Sequence, residues 1–387
     1  MQIIIIGGGI TGASLALAIS KLSKEQVQIS LIEAIELNKK NMHFNNRTIA
    51  LSYGTCQQFN QIGIWDGLKK YVTPITHIHI SEYGHASILN IKAKYYSIPA
   101  LGYVIKLSDA KNYLFDQIKK TPNITLFCPE KTIDIIRTIN NVSVKLTTNK
   151  ILTGQLLVAA DGSNSIIRKI SKIDWYKKSY EQCAITANIL TSALPKGRAF
   201  ERFTQFGSLA ILPVSKYCSS LIWCYPLKNK QHIMQLDNDE FVMELQQYFG
   251  WRLGEIKLIS KRYYLPLFLY QAKKIISHRL VLVGNAAQTV HPIGGQGFNL
   301  AMRDIMILAD IISKTANNRE DIGNYSVLIN YQIKRNNDRQ NIIKITDNLV
   351  RLFNNKHIIF IISRNIALIA MEILKPISNI LIRKAIR

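Results

Sequence analysis

Residues 2–33 constrain this chain more than any other stretch of it. Ile3-Ile4-Ile5-Ile6 is a short, fully apolar, β-branched run, the pattern of a strand buried on both faces of a parallel sheet. Gly7-Gly8-Gly9-Ile10-Thr11-Gly12 follows directly, then residues 13–22 predict a helix, and residues 27–32 predict a second strand that ends at Glu33. A G-x-G-x-x-G is a weak signal alone. Here it leaves a strand, opens a helix and is answered by an acid at the end of the next strand. Gly7 permits a tight turn, Gly9 lets the backbone approach a pyrophosphate, and Gly12 lets the helix pack closely on the strand. The amides from Gly9 through Thr11 to Gly12, with the helix dipole behind them, offset phosphate charge. Glu33 is placed to accept hydrogen bonds from ribose hydroxyls. A glycine turn without a ligand explains none of the three contexts.

Two later segments repeat the logic of a strand that delivers residues to its carboxyl end. Residues 156–160 form a short apolar run ending in Asp161-Gly162, although an Asp-Gly turn also ends many strands that bind nothing. Residues 280–283 run into Gly284-Asn285-Ala286. A glycine-rich loop follows, Pro292-Ile293-Gly294-Gly295-Gln296-Gly297-Phe298-Asn299, and opens a helix. Its amides can face a ligand that gathers negative charge. A loop rich in glycine for steric reasons alone is the competing reading.

Between these pieces the pattern changes. Residues 47–59 read as helix, 76–91 alternate as strands, and 108–119 form an amphipathic helix with Ser108 or Asp109 as N-cap. Residues 124–127 and 142–146 read as strands. Residues 180–190, 198–212 and 219–225 alternate with turn punctuation, as an antiparallel sheet does. From Gly297 onward the chain is mostly helical. The 387 residues suffice for two domains, and 48% are hydrophobic, so a packed core is expected. The fold class is α/β. A Rossmann-type nucleotide-binding domain at 1–75, 100–172 and 275–340 is interleaved with a β-sheet domain at 76–99 and 173–274, and helices over 341–387 follow.

Charge and cysteine exclude other classes. The net charge of +24 invites a nucleic-acid or anionic-lipid partner. Lys and Asn, however, dominate wherever the choice is free, as in Asn38-Lys39-Lys40-Asn41 and Asn354-Asn355-Lys356, and no nucleic-acid motif is visible. Compositional drift is the reading, no nucleic acid is expected, and a modest attraction to anionic lipid remains as a by-product. Cys56, Cys128, Cys183, Cys218 and Cys224 contain no C-x-x-C, which argues against a disulfide framework or a zinc site; no metal is expected. With Met1-Gln2 running straight into the first strand, no signal peptide is expected. The most apolar stretch, 358–374, is interrupted by Ser363, Arg364, Asn365 and Glu372 and is too short and polar to span a bilayer. The expectation is a cytoplasmic protein, with peripheral contact to the inner membrane left open.

The three glycine and D-G segments together resemble the single-component flavoprotein aromatic hydroxylases, in which they bind one FAD. Asn285 stands where that family carries Asp. Arg47-Thr48-Ile49-Ala50-Leu51, Glu201-Arg202-Phe203-Thr204 with residues 207–213, and His291 through Leu300 with Arg303-Asp304 resemble the ubiquinone-hydroxylase branch. Gly284-Asn285-Ala286-Ala287-Gln288-Thr289, Gly54-Thr55-Cys56-Gln57-Gln58 and Phe249-Gly250-Trp251-Arg252-Leu253-Gly254 narrow it to the type acting on 2-polyprenyl-6-methoxyphenol. The resemblance covers essentially the whole chain. Lys106-Leu107-Ser108 lacks the Arg or Asn of many relatives.

The resemblance implies FAD contacts at Gly7, Gly9, Thr11, Gly12, Glu33, Arg47, Asp161, Gly162, Gly284, Asn285, Ala286, Gly295, Gln296, Gly297, Phe298 and Asn299. It implies a monooxygenase in which reduced FAD activates O2 and delivers an electrophilic OH to an electron-rich ring, para to a phenolic hydroxyl. NAD(P)H or a redox protein is the reductant. The protein need only exclude water and hold the ring near the flavin. His291 is a candidate proton relay, or a packing residue beside Pro292. Phe203, Phe206, Leu209 and Trp223 are substrate-pocket candidates on a sheet whose aromatics are core by default. A polyprenylated phenol, a ubiquinone-making complex and a membrane surface are the implied partners, the last through the apolar helices near 358–382, for which packing on the nucleotide-binding domain or on a second subunit is the slightly favoured alternative. Three alternatives stay open: hydroxylation at another ring carbon, a non-catalytic scaffold of that complex, suggested by Asn285, and a basic nucleic-acid-binding protein resting on charge alone.

Overall fold

A computed structural model describes residues 1–36, 47–355 and 357–373. Asn38-Lys39-Lys40-Asn41, Lys356 and the stretch beyond 373 lie outside the described residues, and so do the readings placed on them. The chain opens with β1 (Gln2–Ile6), α1 (Ile10–Leu22) and β2 (Gln28–Ile32). Next come β3 (Thr48–Ser52), α2 (Tyr53–Gln61), α3 (Trp65–Leu68), β4 (Val72–Ile75), β5 (His77–Glu82) and β6 (Ile88–Lys92). β7 (Gly102–Lys106), α4 (Leu107–Lys120), β8 (Ile124–Phe127), β9 (Thr132–Arg137), β10 (Val142–Leu146) and β11 (Ile151–Gly154) lead to β12 (Leu156–Ala159) and α5 (Ile166–Ile170). Then follow β13 (Trp175–Thr191), β14 (Arg198–Phe203), β15 (Ser208–Pro213), β16 (Cys218–Pro226), α6 (Lys230–Gln235), α7 (Asn238–Phe249), β17 (Ile256–Leu258) and β18 (Tyr263–Ala272). β19 (Ile276–Ser277), β20 (Leu280–Leu282), β21 (Gln288–Thr289), α8 (Gln296–Asn317), α9 (Tyr325–Asn354) and α10 (Ile358–Ile373) complete it.

The isoleucine run becomes β1, near the middle of a six-stranded sheet ordered β19-β20-β12-β1-β2-β8. β20, β12, β1, β2 and β8 run parallel. Ile3, Ile4 and Ile5 expose no surface, each contributing about 2 kcal/mol of burial. α1, flanked by α4 and α8, covers one face. It begins at Ile10, three residues before the sequence-based expectation, because Gly9 already has the extended backbone of an N-cap.

The second sheet has nine strands along the path β21-β18-β13-β16-β15-β14-β5-β6, with β17 paired to β13. It is antiparallel except where β14 meets β5 in parallel. Period-two alternation splits its side chains cleanly. Ile185, Phe200, Leu209, Leu221 and Trp223 face α7, packing on Phe241 and Leu245. Phe203 lies on the other face, in a cluster with Ile293, Val350, Tyr180 and Phe353. A small antiparallel sheet, β3-β7-β4, sits beside this second face, since Ala199 and Leu212 cluster with Ala50 and Val104.

Two local expectations are corrected. Residues 47–59 are not one helix. Thr48, Ile49 and Leu51 pair with β7 as β3, and α2 starts only after Ser52, whose side chain accepts the Thr55 N–H at 3.2 Å. The β-branched residues and a capping serine outweigh the helical spacing. In α4 neither Ser108 nor Asp109 is the N-cap; Lys106 is, without a side-chain cap, and Asp109 lies in the first turn, where its charge suits the dipole. Residues 198–212 form two strands broken at the turn Thr204-Gln205-Phe206-Gly207. At the C-terminal end α10 covers β6, fastened where Arg364 meets the Glu82 carboxylate and where Glu372 accepts the Asn90 N–H at 2.7 Å. Among the described residues no helix is long and apolar enough to cross a membrane.

Candidate functional site

Four neighbouring parallel strands, β2, β1, β12 and β20, end side by side. Their carboxyl ends deliver Glu33, Gly7, Asp161 and Gly284, so three motifs separated by more than a hundred residues become one rim. Ligands of open parallel sheets bind at such a rim.

Close packing dictates the glycines. Gly7 has φ +102°, and a Cβ there would stand 2.5 Å from the Ala160 carbonyl oxygen. A Cβ on Gly12 would stand 1.9 Å from the Gly7 carbonyl oxygen. Gly9, by contrast, has nothing within 4 Å of such an atom, and no side chain caps α1. The α1 amides therefore face open space, as a pyrophosphate requires. Thr11 packs on Gly284, its Cγ2 standing 2.8 Å from where a Cβ of Gly284 would be, which joins the first motif to the third. Glu33 is buried. Its Oε1 accepts the Ile35 N–H at 3.0 Å and lies 3.6 Å from Lys111 Nζ.

Asp161 has two jobs. Its Oδ2 accepts the Ile166 and Ile167 amides at 2.8 and 3.3 Å, fixing the start of α5, while Oδ1 is buried without a partner. Burial pushes its pKa up, opposed by those hydrogen bonds. Gly162 beside it is open. Sequence reasoning missed Arg168. Buried under Trp175, it donates to the Ala286 carbonyl at 2.8 Å and the Ser163 carbonyl at 2.7 Å, tying the D-G loop to the Gly284 turn. Only its place one turn into the helix after Asp161 signals this.

Behind Gly284 lies a buried charge network that the motif reading also missed. Asp304 Oδ2 accepts the Gly284 amide at 3.1 Å and Gln288 Nε2 at 2.8 Å, and its Oδ1 accepts Arg335 Nε at 2.7 Å. Arg335 continues to Asp338 at 2.5 Å, and Arg339 donates to Gln288 Oε1 at 2.8 Å. Asn285 is exposed at the rim. Asp304 does not supply the charge Asn285 lacks, because Arg335 neutralises it internally.

The loop before α8 departs in part from its expected roles. Gly294 and Gly295 take left-handed φ of 65° and 64°, which aims the first α8 amides outward without a side-chain cap, and Gly297 is open. Gln296 is partly exposed and donates to the Gly294 carbonyl at 3.4 Å. Asn299 is turned inward. Its Nδ2 donates to Gly295 and Ala50 carbonyls at 2.8 and 3.1 Å, and its Oδ1 accepts Ser52 N–H and Thr55 Oγ1, both at 2.9 Å. Phe298 stacks on Phe59 at 6.0 Å. Both side chains fasten the loop to α2 and leave cofactor contact to the backbone. Arg47 is exposed at the start of β3, where its carbonyl accepts the Leu107 amide at 2.8 Å.

His291 is buried with both ring nitrogens engaged. Nδ1 accepts the Ile293 amide at 3.2 Å, which assigns the proton to Nε2 for donation to Gln182 Oε1 at 3.1 Å. Burial lowers its pKa to about 4. Both ring nitrogens fasten the loop, the packing arrangement that the sequence offers beside a proton relay. Among the substrate candidates, Leu209 and Trp223 face α7, away from the rim, and Phe206 packs on Tyr225 and Tyr248. Phe203 alone of the four lies on the face that meets the glycine-rich loop, clustered with Ile293 and stacked on Phe353. Alternation along the strands decides this, and the sequence does not say which face is covered by what.

The buried, unpartnered Asp161 oxygen and the open faces at Gly9, Gly162 and Gly297 fit a dinucleotide lying along the rim. A family model described as an FAD binding domain matches residues 1–344. The chain is 29% identical over 384 residues to the ubiquinone hydroxylase UbiL of Rhodospirillum rubrum, covering 99% of this chain and 89% of that one. It is 26% identical over 374 residues to the 3-demethoxyubiquinol 3-hydroxylase of Escherichia coli, covering 96% and 94%. The fold superposes on p-nitrophenol 4-monooxygenase PnpA from Pseudomonas putida with a TM-score of 0.80 at 16% identity, over 99% of this chain and 97% of that one.

Proposed function

The chain belongs to the FAD binding domain family, and on that premise we propose that it is an FAD-dependent hydroxylase of ubiquinone biosynthesis acting on the ring of 2-polyprenyl-6-methoxyphenol. The rim of four strand ends with its unpartnered Asp161 oxygen carries this reading. It offers pyrophosphate, ribose and ring positions along one line. The ubiquinone hydroxylases among its relatives support the pathway. Another ring carbon is the competing assignment, since the Escherichia coli relative is named for position 3.

The chain's residues then have distinct tasks. The α1 amides from Gly9 to Gly12 hold the pyrophosphate, and Glu33 accepts from the adenosine ribose. Asp161 Oδ1 and the backbone at Gly284-Asn285-Ala286 face the middle of the cofactor. The α8 amides at 295–298 face the flavin ring, where negative charge collects on reduction. Bound FAD supplies the redox chemistry, two electrons from NAD(P)H or a redox protein reducing O2 so that one oxygen enters the ring C–H bond and the other leaves as water. The nine-stranded sheet closes over the ring and excludes water. The long apolar tail of the substrate reaches the site from a membrane surface or a partner of the ubiquinone-making complex.

The visible spectrum of the purified protein, with identification of the released flavin, tests the cofactor. Oxidised-flavin bands with FAD released on denaturation are expected, and product analysis with a short-chain 2-methoxyphenol then assigns the ring position. A colourless protein that does not take up added FAD overturns the reading in favour of a scaffold.

A further inference from the structure

On the sheet face turned toward the flavin loop, one row of residues differs from its neighbours. Glu201, Ala210, Ile222 and Thr186 are register partners across β14, β15, β16 and β13. All four retain partial exposure. The next row toward the loop, Phe203, Ser208, Cys224 and Ala184, is buried throughout. On the other side Ala199, Ser220 and Asn188 are buried, while Leu212, the register partner of Ser220 next to Ala210, is partly exposed and opens the row there. Phe203 clusters with Ile293 and Ala199 with Ala50, the residue that Gly295 approaches. The row is therefore the floor of a groove between two contacts that both adjoin the glycine loop. Ala210, the smallest side chain of the row, leaves space above the floor. At its ends Glu201 Oε1 and Thr186 Oγ1 are buried polar atoms without partners. Leaving a buried acceptor unpaired is costly, and such a cost persists where a ligand meets it.

We propose that this groove seats the aromatic ring of the substrate and that Glu201 Oε1 accepts the hydrogen bond of its phenolic hydroxyl. The proposal rests on the hydroxylase reading for the identity of the ring, and it deepens that reading by naming a catalytic carboxylate. The phenolic proton goes to Glu201 as the carbon–oxygen bond forms at the para carbon. It returns to the phenolic oxygen when that carbon sheds its own hydrogen as H+.

Burial pushes the Glu201 pKa up to about 7, with a hydrogen bond from Ser208 pulling the other way. Other titratable and charged groups lie on the same face. Burial pushes the Cys224 thiol up to about 12 and the Tyr180 phenol further above its usual value, and lowers His291 to about 4. Glu82 is held by Arg364, and Asp347 of α9 by Lys178 and Arg351. Tyr263 extends the row beyond Thr186.

The test titrates the FAD-loaded protein with 2-methoxyphenol and with 1,2-dimethoxybenzene, following the flavin spectrum. The wild type should bind the phenol about tenfold tighter than the ether, with phenol binding strengthening as pH rises through about 7. Glu201→Leu should bind both alike while keeping its FAD. Glu201→Gln, a neutral acceptor of the same shape, should keep part of the preference and lose its pH dependence. Ala210→Phe should exclude both ligands, and it reads the groove even if the Glu201 variants lose FAD. A wild type without preference for the phenol, or a Glu201→Leu protein that keeps it, overturns the proposal. Preference without hydroxylated product sinks the hydroxylase reading alone. Product with unchanged preference in Glu201→Leu sinks the Glu201 assignment alone.

Discussion

Single residues at this site are constrained by packing more tightly than by chemistry. Gly12 offers a ligand only its backbone amide, and the 1.9 Å between a Cβ there and the Gly7 oxygen leaves no room for any side chain. Gly12→Val should therefore force α1 off β1, and the purified variant should lose its flavin absorbance and several kcal/mol of stability, in the range of about 1–3 kcal/mol or more for overpacking. Glu201 and His291 predict opposite pH slopes. The Glu201 pKa is raised on folding, to about 7, so its stabilising contribution is complete below the unfolded value near 4.5 and is lost as pH rises through 7. The His291 pKa is depressed from 6.5 to about 4, so its contribution is complete above 6.5 and is lost as pH falls through 4, a span worth about 3 kcal/mol. Urea midpoints measured from pH 4 to 8 should show Glu201→Gln gaining on the wild type as pH rises. His291→Gln should lack the wild type's loss of stability on the acid side.

At the scale of elements, the helices do more than wrap the sheet. α8 begins with amides for the cofactor and, two turns on, carries Asp304 back to the Gly284 turn. α9 supplies Arg335 and Arg339 to the same buried cluster. The rim is thus held from behind by Asp304, Arg335 and Arg339, whose side chains engage the Gly284 turn and Gln288 from the inner side. Arg335→Ala leaves Asp304 buried and uncompensated, which should cost about 3–5 kcal/mol in chemical denaturation and weaken FAD retention. A double replacement of Asp304 and Arg335 by apolar residues should recover much of the fold's stability without recovering the Gly284 turn, so flavin release separates the two effects. If Arg335→Ala retains both stability and flavin, the network is not what positions the turn.

On the scale of the whole molecule, the proposed cofactor lies between two sheets that are already joined where β21 pairs with β18 and His291 meets Gln182. The six-stranded sheet provides the rim, and the nine-stranded sheet faces it through Phe203, Ala199 and Leu212. A ligand bound only by the folded chain adds stability by mass action. FAD at about a hundred times its dissociation constant should add about 2.7 kcal/mol over the stripped protein, raising the thermal midpoint as FAD concentration rises. A midpoint that ignores FAD would contradict the cradle.

Local pattern and chain physics suffice for much of this architecture. Four isoleucines followed by three spaced glycines and a later acid permit little besides a buried strand, a tight turn and a helix with open amides, because each residue's role is met by its immediate neighbours. The same holds for residues 156–162 and 280–284 and for the alternating strands of the second sheet. The inward turn of Asn299, the saturation of His291, the Arg168 and Arg335 contacts and the division of Phe203 from Trp223 were not legible in this way. Each depends on partners brought near by the fold, such as Asp304 for Arg335, Gln182 for His291 and Ser52 for Asn299, which are 31, 109 and 247 positions away. The helical spacing of 47–59 failed for a related reason: pairing with β7 outweighed local preference. Sequence by itself determined which segments could hold a nucleotide. Tertiary structure decided which face of the sheet, and which side chains on it, would meet the ring, because alternation divides a strand into two faces and only packing chooses between them.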